Sequence, residues 1–390
     1  MTAAGADVVR ETKSSSSQAG STTTVSAAVV HKTKGKFIVE DVELDELRPN
    51  EVRVRVVAVG VCHTDMAMRD GVYPIPMPVV LGHEGGGVVE AVGTGISRVK
   101  VGDHVVMSAA YRGHCLPCLT GHQAYCENGF AEDFGGRRTL DGTSSLTSSS
   151  GEVVSSHFFG QSSFSTHANV VESALVVVDR DLPLEKIAFL GCGMQTGAGS
   201  ILNELRPPAG SSIAIIGTGA VGHAAVMAAR ASGCTTIIAI DRHQNRVELA
   251  TEVGATHAVH GQAEDAHDEV MRISGGRGVD YIFNTTDSTV AVHNLAAALA
   301  IRGSLATVAA MAPGTEIPFE VGGSLLKGWN FRTIVQGSSV PQQMVPRLID
   351  MWKQGMFPVD KLVKTYGFAD INTAFADSTS GAVVKPVLVF

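Results

Sequence analysis

The chain has 390 residues, 44% hydrophobic and 17% charged, with 43 glycines and a formal net charge of -8. That length exceeds the roughly 250–300 residues at which single cores stop growing, so two domains are expected. The mildly acidic balance lacks the basic stripe of a nucleic-acid binder. The most apolar stretch, Ile213 to Ile240, is broken by glycines, His223 and Arg230 and does not read as a membrane span.

Residues 1–24 are rich in Ser, Thr, Ala and Gly and lack the apolar core of a signal peptide, so they are expected to form a polar, disordered leader. Val25 to Val30 and Glu51 to Val61 then alternate with period two, as in Val52, Val54 and Val56 against Arg53 and Arg55. Glycine-punctuated apolar pieces continue through Gly82 to Val92 and Asp103 to Met107, a β-barrel-like texture. Asp141 to Ser150 is almost entirely Asp, Gly, Ser and Thr and reads as a solvated loop. Six cysteines are too few for a disulfide scaffold, and three of them, Cys115, Cys118 and Cys126, fall in one short run. This points to metal or thiol chemistry in a reducing compartment, and the cytoplasm is the expected location.

From Ser211 the texture becomes alternating β and α. Strands are expected at Ile213 to Ile216, Thr236 to Ile240, Tyr281 to Asn284 and Ser304 to Val308, with helices at His223 to Ser232, Asn245 to Glu252 and Val290 to Ala300. Repeated βα units imply a doubly wound parallel sheet. The tail carries one helix, Gln343 to Gln354, and a last strand, Val387 to Phe390; it is too short to stand alone and is expected to return to the first domain.

Gly217-Thr218-Gly219-Ala220-Val221-Gly222 fits GxGxxG between a predicted strand and a predicted helix. In that context Gly217 permits the tight turn, Gly219 lets the backbone approach a pyrophosphate, and Gly222 allows close helix–strand packing. Asp241 follows 19 residues after Gly222 at the end of the next strand, where a carboxylate accepts the ribose hydroxyls of NAD and repels a 2′-phosphate. NAD is the expected cofactor, although Asp241 is also a natural helix cap and Arg242 beside it leaves room for NADP.

Three distant pieces carry thiol or imidazole ligands beside glycine or small polar residues: Cys62-His63-Thr64-Asp65, Gly82-His83-Glu84 and Gly191-Cys192-Gly193. Cys, His and Cys make an open catalytic zinc set with a fourth position left for water or substrate. Taken singly, Cys62 would read as a core thiol and His83 as a satisfied histidine.

The phrases VCHTD, LGHEGGGVVEAVG, VGDHV, GCGMQTGAGS, GTGAVG and GAVVKPVLVF stand in the order and spacing of the zinc-dependent medium-chain alcohol dehydrogenases, which the chain resembles over residues 25–390. CLTGH and HFFGQSSFSTH resemble the aryl-alcohol, or benzyl-alcohol, branch. The resemblance implies a GroES-like, partly open β-barrel catalytic domain from residues 25–193 and 336–390, a Rossmann domain from 194–335, and an active site between them. It further implies a catalytic Zn2+ on Cys62, His83 and Cys192, with Glu84 as a transient ligand, Thr64 on the substrate hydroxyl and Asp65 orienting His83. His63 and Lys385 would meet the pyrophosphate, Arg246 the adenosine ribose, and Thr196 and Val221 would pack behind the nicotinamide. Ser108, Phe158, Phe159 and the segment Asp133 to Arg138 would line or border the substrate pocket, although an FF pair is more often core.

Two positions depart from the family pattern. Ala67 stands where many members carry the last histidine of a proton relay, implying a shortened relay completed by water or by Arg69. Arg112 stands in place of the first of four structural-zinc cysteines, leaving Cys115, Cys118 and Cys126. Loss of that second zinc is favoured, against a three-cysteine site completed by His114, His122 or water. The expected activity is oxidation of a primary, aromatic or allylic alcohol to its aldehyde with NAD, by a homodimer or homotetramer joined along the Rossmann sheet edge near Ser304 to Val335, with neither nucleic acid nor membrane as partner. The alternatives are an S-(hydroxymethyl)glutathione/formaldehyde dehydrogenase and a non-catalytic NAD-binding relative.

Overall fold

A computed structural model describes residues 22–390. The expected leader therefore lies largely outside the described residues, and Thr23 and Thr24 already belong to the first strand, Thr23–Val30. Among the described residues, three sheets organise the chain. In the first, Thr23–Val30 pairs antiparallel with Val79–Val80 on one side and with the central strand Ile38–Leu44 on the other. In the second, Glu51–Gly60 sits between Gly85–Val92 and the C-terminal strand Lys385–Val389, so the tail does return to the N-terminal half. Alternation in Glu51–Gly60 explains this placement: Val52, Val54 and Val56 are buried, whereas Arg55 is exposed.

The third sheet is parallel throughout, in the order His257–His260, Thr236–Asp241, Ser212–Ile216, Val279–Asn284, Leu299–Thr307, Asn330–Thr333. Its central strand buries Ile213 to Ile216 completely, as a parallel strand covered by helices on both faces must. Among the described residues no helix is long and apolar enough to cross a membrane.

Two sequence expectations are corrected. The helix expected over Val290 to Ala300 runs only Thr289–Ala296, capped by Ser288, whose side chain accepts from the Ala291 amide. Leu299 already pairs with Val279, because the strand Leu299–Thr307, which lies inside the parallel sheet, claims its backbone. Within the expected loop Asp141 to Ser150, Leu146–Ser148 is a strand pairing with Val42 to Leu44. Buried Leu146, one apolar anchor among serines, supplies the burial that composition alone concealed.

Candidate active site

The first metal-ligand candidate, Cys62, is extended (φ -123°, ψ 151°) and caps the helix His63–Arg69. Three residues on, fully buried Asp65 turns back to accept from the Cys62 amide at 3.2 Å and from the Gly82 amide at 3.0 Å, and its Oδ1 lies 2.9 Å from His83 Nδ1. One carboxylate thus ties two loops together and fixes the imidazole with Nε2 free to face a metal. Burial would lower the His83 pKa, but the Asp65 charge outweighs it and raises it well above its ordinary value.

Cys192 begins the helix Gly193–Gly199. The turn before it is braced from behind: Ser108 Oγ donates to the Gly191 carbonyl at 2.7 Å, and Gln195 Nε2 donates to the same carbonyl at 2.6 Å and to Ser108 Oγ at 2.8 Å. Gln161 Nε2 donates to the carbonyls of both His83 and Ser108 at 3.0 Å, linking the histidine loop to this brace.

Cys62, His83, Glu84 and Cys192 place their ligand atoms within 4.8 Å of one another. His83 Nε2 is buried with no hydrogen-bond partner, an unusual state for a ring nitrogen unless it serves as a ligand. The closeness of the two sulfurs holds Cys62 well below the ordinary thiol range and pushes Cys192 up. Two thiols and an imidazole around a common centre fit a catalytic zinc. Glu84 stands just behind, its Oε1 accepting from the Gly193 amide at 3.3 Å; burial pushes its pKa up to about 7 despite the opposing charge of Lys385.

The metal-ligand set opens on a cleft of about 430 Å³ that runs past Gly217, Gly219, Ala220 and Val221 to Asp241, Arg242 and Arg246. Gly217 takes φ +81°, and a Cβ on Gly222 would lie 1.9 Å from the Gly217 carbonyl oxygen, so both positions demand glycine. Asp241 accepts from the Thr218 amide at 2.7 Å and from the His243 amide at 2.9 Å, which holds its carboxylate at the cleft wall. Arg246 donates to the Ser378 carbonyl at 3.1 Å and keeps a buried, unpartnered Nε. His63 is exposed on the cleft, and half-buried Thr64 has its hydroxyl 3.7 Å from Cys62 Sγ.

Several sequence assignments change place. Lys385, expected at the pyrophosphate, does line the cleft, but it is buried with Nζ donating to Glu84 Oε2 at 2.6 Å and to the Val61 carbonyl at 3.0 Å, as a buried carboxylate requires a partner. Ser108 is a fully buried brace rather than a pocket wall. Phe158 and Phe159 are also buried and back the metal ligand, with the Phe159 ring stacked on His83 at 4.5 Å and Phe158 edge-on at 5.3 Å. Arg138 is a buried clamp on Glu51 and Asp45, and with His157 it holds the Glu51 carboxyl down to about 2 against the opposing effect of burial. Thr196 turns its hydroxyl to the Cys192 carbonyl at 2.9 Å and is absent from the cleft lining, where Val221 is present. Arg69 is paired with Asp70 at 2.7 Å and does not line the cleft, so nothing here joins it to a proton relay.

Residues the sequence reading missed include Gln161, Gln195, Thr285 and Ala309–Ala310, the last three positions lining the cleft. No local pattern marks them: Gln161, Gln195 and Thr285 each bond a residue at least 50 positions away. The shorter thiol cluster also assembles: Cys115 Sγ lies 3.3 Å from Cys118 Sγ and 3.9 Å from Cys126 Sγ.

Residues 48–176 match the alcohol dehydrogenase GroES-like domain and residues 220–354 the zinc-binding dehydrogenase domain. A geraniol dehydrogenase of Castellaniella defragrans is 40% identical over 93% of this chain and 97% of its own. Among solved structures, the benzyl alcohol dehydrogenase of Acinetobacter calcoaceticus is 40% identical with a TM-score of 0.90, covering 94% of this chain and 99% of that one. An alcohol dehydrogenase zinc-binding domain protein of Burkholderia ambifaria is 46% identical with a TM-score of 0.91, covering 95% and 100%. With both domains matched and the ligand set converged at the cleft, the chain belongs to the zinc-dependent medium-chain alcohol dehydrogenase family.

Proposed function

We propose that this protein interconverts a primary aromatic or allylic alcohol and its aldehyde, passing the hydride to and from NAD. The observation that carries the reading is the continuity of one cleft from Cys62 and Glu84 to the glycine turn and Asp241. When bound, zinc lowers the pKa of the alcohol hydroxyl and the nicotinamide accepts the hydride. The chain's own residues do the rest. Cys62, His83 and Cys192 would hold the metal, and Asp65 keeps the His83 ring in one tautomer and orientation. Thr64, beside Cys62 although outside the cleft lining, would take the substrate hydroxyl proton, and with Ala67 buried and Arg69 paired elsewhere, water would carry it on. Asp241 supports NAD over NADP, because its carboxylate repels a 2′-phosphate. The geraniol and benzyl alcohol dehydrogenase relatives support an allylic or aromatic substrate.

An oligomer joined along the parallel sheet also belongs to this reading. The sheet ends at Asn330–Thr333, and Val321, Leu325 and Leu326 beside it are 73%, 77% and 88% exposed. An uncovered strand edge with apolar neighbours suits pairing with a second copy. A reducing, cytoplasmic setting accords with six free cysteines among the described residues.

The test is NADH formation from NAD with benzyl alcohol, geraniol and ethanol, repeated with NADP and after strong chelation. The two larger alcohols are expected to react best with NAD, and chelation to abolish the signal. Absence of alcohol-dependent NADH in zinc-loaded protein, with any tightly held nucleotide assayed after denaturation, would overturn the reading.

A further inference from the structure

No residue from His157 to Ser162 lines the cleft, yet the backbone there is held in conformations that side chains rarely adopt. His157 takes φ +62°, Phe159 +53° and Ser162 +52°, all three buried. Left-handed backbone at non-glycine residues persists only where the surroundings over-determine it, and it concentrates at sites of function.

The segment is pinned at both ends. At its start His157 Nε2 donates to Glu51 Oε1 at 2.8 Å. That carboxylate is itself held fast: Oε1 also accepts from Arg138 Nε at 2.6 Å, and Oε2 accepts from Arg138 Nη2 and from the Arg48 amide, both at 3.0 Å. Withdrawing a partner would leave a buried charge uncompensated, so Glu51 is a fixed point at the start of the strand Glu51–Gly60. Beyond the other end, Ser162 Oγ donates to the Val80 carbonyl at 2.7 Å, and the Ser163 amide donates to the Gly82 carbonyl at 2.9 Å, one residue before His83.

Between these pins the segment presses on one candidate metal ligand. Phe159 stacks on the His83 ring with the planes 25° apart, and Phe158 meets it edge-on. Gln161 uses both of its amide protons and its oxygen here: Nε2 donates to the carbonyls of His83 and Ser108, and Oε1 accepts from the Gly85 amide at 3.3 Å. Asp65 holds the imidazole by its Nδ1 edge, whereas this segment holds its face and its backbone.

We infer that His157 is a positioning residue for the metal centre: by tying the segment to the Glu51–Arg138 pair it fixes where Phe159 stacks and where Gln161 grips, and so sets the pose of His83 from outside its own loop. This rests on the reading that Cys62, His83 and Cys192 hold the catalytic ion. Outer partners of a metal-binding histidine govern its orientation, and their loss costs about 10–100-fold in metal affinity.

The full-length protein is loaded with cobalt(II), whose ligand-field bands report the geometry at the metal. Every protein compared carries Cys118→Ser, which breaks up the second cysteine cluster so that the absorbance reports the catalytic ligands. His157→Phe keeps the bulk and removes the donor; its ligand-field bands are expected to shift, and its zinc retention under chelator competition to fall about tenfold, the lower end for a partner that acts through others. His157→Gln, which offers an amide N–H near the place of Nε2, is expected to recover part of both. A merely structural role would lower the melting temperature of His157→Phe and leave the bands of the folded protein in place; unmoved bands with unchanged retention overturn the inference. Should His157→Phe fail to fold, Glu51→Gln decides, since its amide group turns a donor towards Arg138 or His157: bands and retention equal to those of the parent overturn it equally. A parent protein with no sulfur-to-cobalt absorbance at all would instead sink the reading of Cys62, His83 and Cys192 as metal ligands, and this inference with it.

Discussion

Asp65 accepts from two backbone amides and from a metal-ligand imidazole, so three constraints converge on one buried carboxylate. Asp65→Ala leaves His83 free to rotate and is expected to weaken zinc retention about 10–100-fold; chelator competition on the purified protein measures this, and unchanged retention would show that packing of Phe158 and Phe159 alone orients the ring. Asp133 makes the opposite kind of statement. It is buried, accepts from the Ala110 amide at 3.0 Å, and burial pushes its pKa up to about 8. Between about pH 4 and pH 8 the folded protein keeps a proton that the unfolded chain releases, so this group costs stability progressively as pH rises through that window. Asp133→Asn retains the acceptor without the charge. Its melting temperature is expected to match wild type near pH 4 and to exceed it increasingly up to about pH 8, as thermal denaturation across that range will show.

The glycine turn is an element whose work depends on the absence of a side chain. Gly222→Ala would force its Cβ against the Gly217 carbonyl. Overpacking of this kind costs about 1–3 kcal/mol, which corresponds to roughly 5- to 140-fold weaker dinucleotide binding if it is borne at the turn. Calorimetric titration with NADH checks it; an unaltered dissociation constant would mean that helix and strand can separate without disturbing the turn. Elements also account for what sequence reading misplaced. The FF pair lies in a short helical turn, Phe158–Gly160, that packs against His83, a contact between positions about 75 residues apart. The final strand carries Lys385 to Glu84 because Val387 pairs with Gly60, a register that no local signal reveals.

At the scale of the molecule, the cleft is tied on both sides. Tyr73 Oη donates to the Met311 carbonyl at 2.7 Å, joining the N-terminal half to a loop after the strand Leu299–Thr307. On the other side Asn245 Nδ2 donates to the Gly381 carbonyl at 3.0 Å and Arg246 to that of Ser378. Tyr73→Phe removes one tie and keeps the ring, which packs 5.7 Å from Phe134. A single hydrogen bond is worth about 0.5–1.5 kcal/mol, so NADH release, followed by stopped-flow fluorescence, is expected to quicken about two- to tenfold. A release rate equal to wild type would show that the Tyr73 tie does not restrain the cleft.

The sequence alone determined the alternation of sheet and helix, the glycine turn with Asp241, and Cys62, His83 and Cys192 as a candidate ligand set. These are legible because strand period, turn geometry and metal chemistry each restrict residue type at short range. Only the tertiary structure decided that Lys385 pairs with Glu84, that Ser108 and Phe159 are buried against the loops of the candidate ligands, and that Arg69 turns to Asp70. Burial and partnership decide such roles, and both arise from contacts between residues far apart in the chain. For Cys115, Cys118 and Cys126 the sequence showed the missing ligand, whereas the fold showed that the three sulfurs still converge and that His114 and His122 face away.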